Sequence, residues 1–399
     1  MSKRTGGRTW VTVDKRAARS VRAGHPWIWP DAISGTTRLH EGAEIEVRDV
    51  QGSFLARALA EGPELGTGPA LRIITRDARD PELGRLLFRR ISAARRLRER
   101  CVAEETTGFR LVHGEADDLP GLVVDRYDTT LVVKLDTQAW EPHLSAVATA
   151  LKTEGGRRTD HIIYRQDNNV RNLFGERAPE QVTIREDGRD YLVRPGGGQK
   201  TGFFLDQRPN RNAVQDLTRP GDRALNLFSY TGGFSVALAL GGAQEVVSVD
   251  ASASILEDCE AQFPLNDLDS KQHRFLSRDL FRDLPRLAEE ERSRPFQVIV
   301  CDPPALARRK ADLDSARRAY RRLHKGLGPM LAKEGVLVTA SCTARLGHVE
   351  LLEDARAGLA ESGRKVLRVL QRGEAGSDHP VSTAFPEGRY LSCLWLLVG

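Results

Sequence analysis

The chain is poor in the residues that staple or anchor a protein. Its five cysteines, at 101, 259, 301, 342 and 393, form no CxxC pair, and its nine histidines do not cluster with them at ligand spacing. Neither a zinc site nor a disulfide framework is therefore expected, and the thiols are expected to be reduced. No apolar run approaches the roughly 20 residues that a membrane helix needs, and the start of the chain lacks the charged-then-apolar order of a secretory signal. A cytoplasmic location is the expectation. Charge of one sign is also scarce: 60 basic against 55 acidic residues leave +5 over 399 residues, which by itself names no partner. There is no internal repeat and no low-complexity tract. At roughly 150 residues per domain, the length suits two or three domains.

What is present is unevenly distributed. Seven arginines and a single acid, Glu99, lie between Leu83 and Cys101, and eight basic residues lie from Arg308 to Lys325 against Asp312 and Asp314 alone. Basic stripes of this kind suit a phosphate backbone, although a solvated helix face would look the same. The first eighty residues read as short alternating strands, Thr9 to Val13, Ala43 to Val50, Ser53 to Ala60 and Ala70 to Thr75. Glycines at 24, 35, 42, 52, 62, 66 and 68 punctuate them, predicting a small β-rich barrel. Leu83, Leu86, Leu87, Ile91, Ala94, Leu97 and Cys101 or Val102 then recur at helical spacing, predicting a connector helix with its arginines opposite. From Arg110 to about Ile184, apolar runs at 122–124, 131–135 and 161–164 flank a helix near 144–152, a small α+β unit. Beyond Ile184, strands alternate with helices, as in a parallel sheet with crossovers.

The chemistry concentrates at the ends of those later strands. Val298-Ile299-Val300-Cys301 runs into Asp302-Pro303-Pro304, and Val336-Leu337-Val338-Thr339-Ala340-Ser341 runs into Cys342. In an open parallel sheet both end groups project into the crevice beyond the carboxyl ends. A thiol beside a carboxylate suits nucleophilic catalysis on a heterocycle. Cys301 should point to the other side of its strand, and Cys259 and Cys393 read as packing residues. Upstream, Ala224 to Leu227 enters the turn Phe228-Ser229-Tyr230-Thr231-Gly232-Gly233 and then a helix from Phe234 to Leu240. A second strand ends in Asp250, placed for ribose hydroxyls, and a third loop carries Asp279, suited to an adenine amino group. Two adjacent glycines are not the GxGxxG of a dinucleotide site, and no phosphate cradle is evident. The pocket therefore predicts S-adenosylmethionine (SAM).

These motifs, with Gly24-His25-Pro26-Trp27-Ile28-Trp29, Arg110 to Leu122, Thr201-Gly202-Phe203-Phe204-Leu205-Asp206-Gln207-Arg208 and Asp378-His379-Pro380, carry a resemblance across nearly the whole chain. It resembles the bacterial SAM-dependent large-subunit ribosomal RNA cytosine-C5 methyltransferases. The resemblance implies an α/β class I methyltransferase fold, Rossmann-like with a mixed seven-stranded sheet, at 185–399. Ahead of it are implied a β-rich PUA RNA-binding domain at 1–80 and a connector helix with an α+β EEHEE domain at 81–184. It implies SAM contacts from Thr201, Arg208, Asn226, Phe228, Gly232, Asp250, Asp279 and Asp302, catalysis by Cys342 and Asp302, ribosomal RNA as partner and a possible homodimer.

RNA contacts are expected from Lys15, Arg16, Arg19 and Arg22 and from Arg317, Arg318, Arg321 and Arg322, with Trp27 and Trp29 packing in the core. Ala305 stands where some cytosine enzymes place a second cysteine and amino-group methylases an aromatic ring, so neither pattern is expected. Leu306, Thr343 and Ser377 depart from the family pattern and leave the target nucleotide open. A non-covalent product such as N7-methylguanine, or an RNA-binding factor without catalysis, remains an alternative.

Overall fold

The computed structural model describes residues 9–34, 39–62, 68–167, 169–198, 200–307 and 309–399. Gly35, Gly66, Gln199 and Arg308 lie outside these residues. The chain forms two compact units. One comprises Met1–Val182, Val193–Gly202 and Ser377–Gly388, the other Thr183–Leu192, Phe203–Gly376 and Arg389–Gly399.

The first unit opens with β1 (Thr9–Val13), α1 (Lys15–Arg22), β2 (Trp27–Ile28), β3 (Ile33–Ser34), β4 (Glu44–Arg48), β5 (Phe54–Ala60) and β6 (Leu71–Thr75). Its six strands pair in the order β2-β6-β5-β4-β1-β3. Alternation decides which face is buried: Val11, Val13, Ile45 and Val47 point inward while Thr12 and Glu46 do not. Helix α1 was not expected. Asp14 caps it, its carboxylate accepting from the Ala17 amide, and only Ala18 and Val21 of its eight residues are buried, too faint a stripe to read.

The same unit continues with α2 (Leu83–Cys101), β7 (Gly108–His113), β8 (Leu122–Tyr127), β9 (Thr130–Leu135), α3 (Leu144–Glu154), β10 (His161–Gln166) and β11 (Asn169–Phe174). The sheet order is β11-β10-β9-β8-β7, and α3 supplies the crossover between the parallel strands β9 and β10. Helix α2 packs its apolar stripe into the unit's interior. Leu83, Leu86, Leu87, Ile91 and Ala94 share one buried cluster with strands of the α+β layer and with Leu59 and Ile74 of β5 and β6. The stripe also ends early, because Arg98 takes the inward position and donates to Asp117 Oδ1 (2.6 Å) and the Asp378 carbonyl (2.8 Å), while Leu97 is 39% exposed.

The second unit holds α4 (Arg208–Leu217) and the alternating run predicted from sequence. After the hairpin of β12 (Val182–Glu186) and β13 (Arg189–Val193) come β14 (Arg223–Leu227), α5 (Gly233–Leu240), β15 (Glu245–Asp250), α6 (Ala253–Ala261), β16 (Arg274–Ser277), α7 (Leu280–Glu291) and β17 (Phe296–Cys301). They are followed by α8 (Leu313–Leu327), β18 (Leu331–Ser341), α9 (His348–Glu361), β19 (Val366–Gly373) and β20 (Ser392–Val398). The seven-stranded order is β16-β15-β14-β17-β18-β20-β19, parallel throughout except for β20. Strands β14 and β17 are almost wholly buried, and their inner stretches, Ala224-Leu225 and Val298 to Cys301, are apolar. Edge strand β19 is mostly exposed, and its mixed sequence gave no strand signal. Among the described residues, no helix is long and apolar enough to cross a membrane.

Candidate active site

The cofactor-side crevice is built by loops at the carboxyl ends of β14, β15 and β16. Phe228, Tyr230 and Gly232 have φ of 58°, 48° and 84°. Such left-handed non-glycine residues cost on the order of 1–3 kcal/mol each and persist only where neighbours hold them. Here the Tyr230 amide donates to Asp250 Oδ2 (3.0 Å), the Ser229 amide to the Val249 carbonyl (3.0 Å) and the Ser252 amide to Asp250 Oδ1 (3.2 Å). Asp250 is thus pinned at the tip of β15. The Phe228 ring lies 5.4 Å from Phe281, which is 53% exposed, and Asp279 caps α7 by accepting from the Phe281 amide (3.1 Å). Among the described residues, the buried hydroxyls of Ser229 and Thr231 have no partner. An apolar wall, two acids and orphaned buried hydroxyls fit an adenosine-containing, phosphate-free ligand.

Several predicted cofactor residues also make structural contacts of their own. Asn226 is buried and its amide donates to Ser235 Oγ (2.8 Å), which in turn bonds Ser248 Oγ (2.7 Å), so it ties α5 to the sheet. A Cβ on Gly232 would come within 2.6 Å of Cys259 Sγ, so this glycine allows α5 and α6 to approach. Arg208 opens α4 and is buried. Thr201 belongs to the other unit, its hydroxyl held by Tyr127 (2.8 Å) and by Asp125.

Asp302 and Cys342 follow β17 and β18 directly, and those strands are parallel neighbours with Cys301 opposite Thr339. Beneath them lies Tyr320, buried, its hydroxyl donating to the Ala340 carbonyl (3.2 Å). Burial raises its pKa well above the ordinary value, and Cys342, Cys301 and Asp302 add to the rise while Ser341 opposes it. Burial likewise raises the pKa of Cys301, with Asp302 contributing, and that of Cys393, and pushes Cys259 up to about 12. Those three thiols are sealed, whereas Cys342 is half-buried. Asp302 Oδ2 accepts from Gln207 Nε2 (2.8 Å). Gln207 was missed from sequence, although it lies within the Thr201 to Arg208 string, because its partner is 95 residues away.

The basic residues divide by helix and by partner. Lys15, Arg16, Arg19 and Arg22 are exposed on α1, Arg22 pairing with Asp49. On α8, Arg317 and Arg321 are bound to the buried Asp354 of α9 (2.9 and 2.7 Å) and Arg317 also to Glu353 (2.8 Å). Arg318 and Arg322 are exposed and have no ion pair among the described residues. Trp29 is 42% exposed rather than core, while the Trp27 indole donates to Glu115 Oε1 (2.8 Å).

Strand order, crevice acids and the loop geometry define a class I SAM-dependent methyltransferase, joined to a β-rich N-terminal domain. A family model described as S-adenosylmethionine-dependent methyltransferase matches residues 118–382, and one described as a PUA-like domain matches 11–68; the chain belongs to this methyltransferase family. A ribosomal RNA large subunit methyltransferase of Deinococcus radiodurans is 35% identical over 406 residues, covering 97% of this chain and 96% of the relative. A ribosomal RNA large subunit methyltransferase I of Tolumonas auensis is 36% identical over 400 residues, covering 97% and 98%. A candidate methyltransferase solved with SAH superposes at a TM-score of 0.85 with 23% identity, over 97% of this chain and 99% of the other. A candidate SAM-dependent enzyme from Streptococcus mutans does so at 0.83 with 22% identity, over 97% and 99%. The cofactor is SAM.

Proposed function

We propose that this protein methylates carbon 5 of a cytosine in large-subunit ribosomal RNA through a transient bond from Cys342. The observation that carries the reading is the half-buried Cys342 thiol beyond β18, next to the strand that ends in Asp302, in a unit whose other three thiols are sealed. Relatives named as large-subunit ribosomal RNA methyltransferases along nearly their whole length support the substrate. In this reading residues 1–80 form the PUA-like domain, 81–184 the α+β domain and 185–399 the catalytic domain.

Carbon 5 of cytosine is a weak nucleophile. The Cys342 thiolate adds to carbon 6, and the electrons of the 5,6 double bond move toward carbon 5 and the N3 edge. Asp302 meets that edge as an acid, placing a proton at N3. Bound SAM supplies an electrophilic methyl group. Carbon 5 takes the methyl group and N3 returns its proton to Asp302; loss of the carbon 5 proton to a base then re-forms the 5,6 double bond as Cys342 departs with the electrons of the carbon–sulfur bond. Asp250 would hold the ribose hydroxyls and Asp279 the adenine amino group. Phe228 would flank the adenine ring, with Arg208 and the Asp302 loop completing the pocket. The target base must leave its stack, at a cost of a few kcal/mol. Lys15, Arg16, Arg318 and Arg322 would hold the RNA backbone meanwhile.

Nucleoside mapping of ribosomal RNA from cells with and without the gene tests the reading. One 5-methylcytosine should disappear from the large-subunit RNA; loss of N7-methylguanine instead would replace the covalent mechanism with the non-covalent one.

A further inference from the structure

We propose that Gln207, aligned in turn by Asn210, is a positioning residue that fixes which oxygen of Asp302 faces the substrate. The inference rests on the reading of Asp302 as the acid at N3. Gln207 is 2% exposed and Asn210 1%, so both primary amides must satisfy their donors and acceptors inside the protein. Gln207 Oε1 accepts from Asn210 Nδ2 (2.6 Å) while its Nε2 donates to Asp302 Oδ2 (2.8 Å). The alternative orientation would set Oε1 against a carboxylate and an NH2 against an NH2. Only one orientation serves both neighbours.

Asn210 is held as firmly as the glutamine it aligns. Its Nδ2 also lies 3.3 Å from the Glu374 carbonyl, and a Cβ on Gly373 would collide with Asn210 Oδ1 and with the Trp395 ring, so the backbone there must be glycine for the amide to fit. A chain of contacts thus runs from Glu374 through Asn210 and Gln207 to Asp302, all within one unit. It contains no net charge before the carboxylate. Because Gln207 can only donate to Oδ2, that oxygen is the acceptor, and a proton carried by Asp302 belongs on Oδ1.

The test is a double-mutant cycle in single-turnover methylation, with SAM binding and thermal unfolding measured on each preparation. Gln207→Met should slow transfer by about 10- to 100-fold, as misplacing a catalytic group does, while leaving SAM affinity within about threefold. In an Asp302→Asn background, itself slowed by about 100- to 10,000-fold, the same change should cost less than about twofold. The limb of the rate–pH profile that Asp302→Asn removes should move to higher pH in Gln207→Met, since the charged form has lost a donor. Equal slowing in both backgrounds, or an unmoved limb, overturns the proposal. An Asp302→Asn enzyme running at the wild-type rate would instead overturn the role of Asp302, and does so without reference to Gln207. Should Gln207→Met not fold, the near-isosteric Gln207→Glu carries the test: it sets two carboxylates side by side and must move the limb upward, and a limb left in place contradicts the positioning role.

Discussion

Exposure separates the cysteines of the catalytic unit: Cys259, Cys301 and Cys393 are buried, their pKa values raised first of all by that burial, and Cys342 is not. A nucleophile must reach its target, and of these four only Cys342 is not sealed in the core. Cys342→Ala should abolish methyl transfer and leave SAM affinity within about threefold, because the thiol serves the base and not the cofactor. Cys301→Ala, two residues from the Pro303 turn, should keep most activity; turnover and cofactor binding on the same preparations check both. At this scale the sequence was informative where a residue closes a strand, as Asp250, Asp302 and Cys342 do, since alternation decides which side a residue faces. It was silent on contacts closed by the fold. Asn226 turns in toward Ser235, Gly232 serves Cys259, and Gln207 meets a partner 95 residues downstream.

Helix α8 shows how an element can carry two jobs on opposite faces. Arg317 and Arg321 dock it on α9 through Asp354, and a Cβ at Gly358 would clash with the Arg321 carbonyl, so the helices touch backbone to backbone. Its inner face buries His324, whose Nε2 bonds Thr339 Oγ1 (2.9 Å) and whose pKa falls to about 4, through burial, with Asp354 acting in opposition. A histidine depressed in the folded state contributes stability above its unfolded value, here 6.5, and loses it as pH falls toward 4. The full loss is about 3 kcal/mol at about 1.4 kcal/mol per unit. His324→Gln should therefore be flatter in stability than wild type between pH 7 and 4; parallel denaturation profiles would contradict this.

The outer face is a separate matter. Charge reversal at Arg318 and Arg322 should weaken RNA binding and lower its salt slope by about one for each phosphate that is no longer neutralised, with SAM binding unchanged. An unaltered slope would make them solvating residues. From sequence, all four arginines looked alike, because Asp354 lies more than thirty residues away. Strand β19 and helix α1 escaped for a simpler reason: an exposed edge strand and an eight-residue helix bury too little to leave a periodic trace.

Over the whole molecule, the alternation of strands and helices beyond Ile184 was enough to predict the parallel sheet, since buried strands must be apolar and crossovers must be amphipathic. The division into units was less legible. Contacts gather residues 377–388 with the N-terminal half, through Arg98 and the Arg110 amide bonded to Asp378, and no local pattern in the sequence marks such a return. Function joins these scales in one claim, that a cytosine is held covalently by Cys342 during transfer. RNA carrying 5-fluorocytidine at the mapped position tests it most directly, because fluorine cannot leave carbon 5 as the proton does and the enzyme should be trapped on its substrate. The account predicts a SAM-dependent protein–RNA adduct that survives denaturation, forms with wild type and Cys301→Ala, and maps by mass spectrometry to the peptide containing Cys342. An adduct that persists in Cys342→Ala, or none from an enzyme that methylates the unmodified RNA, would contradict it.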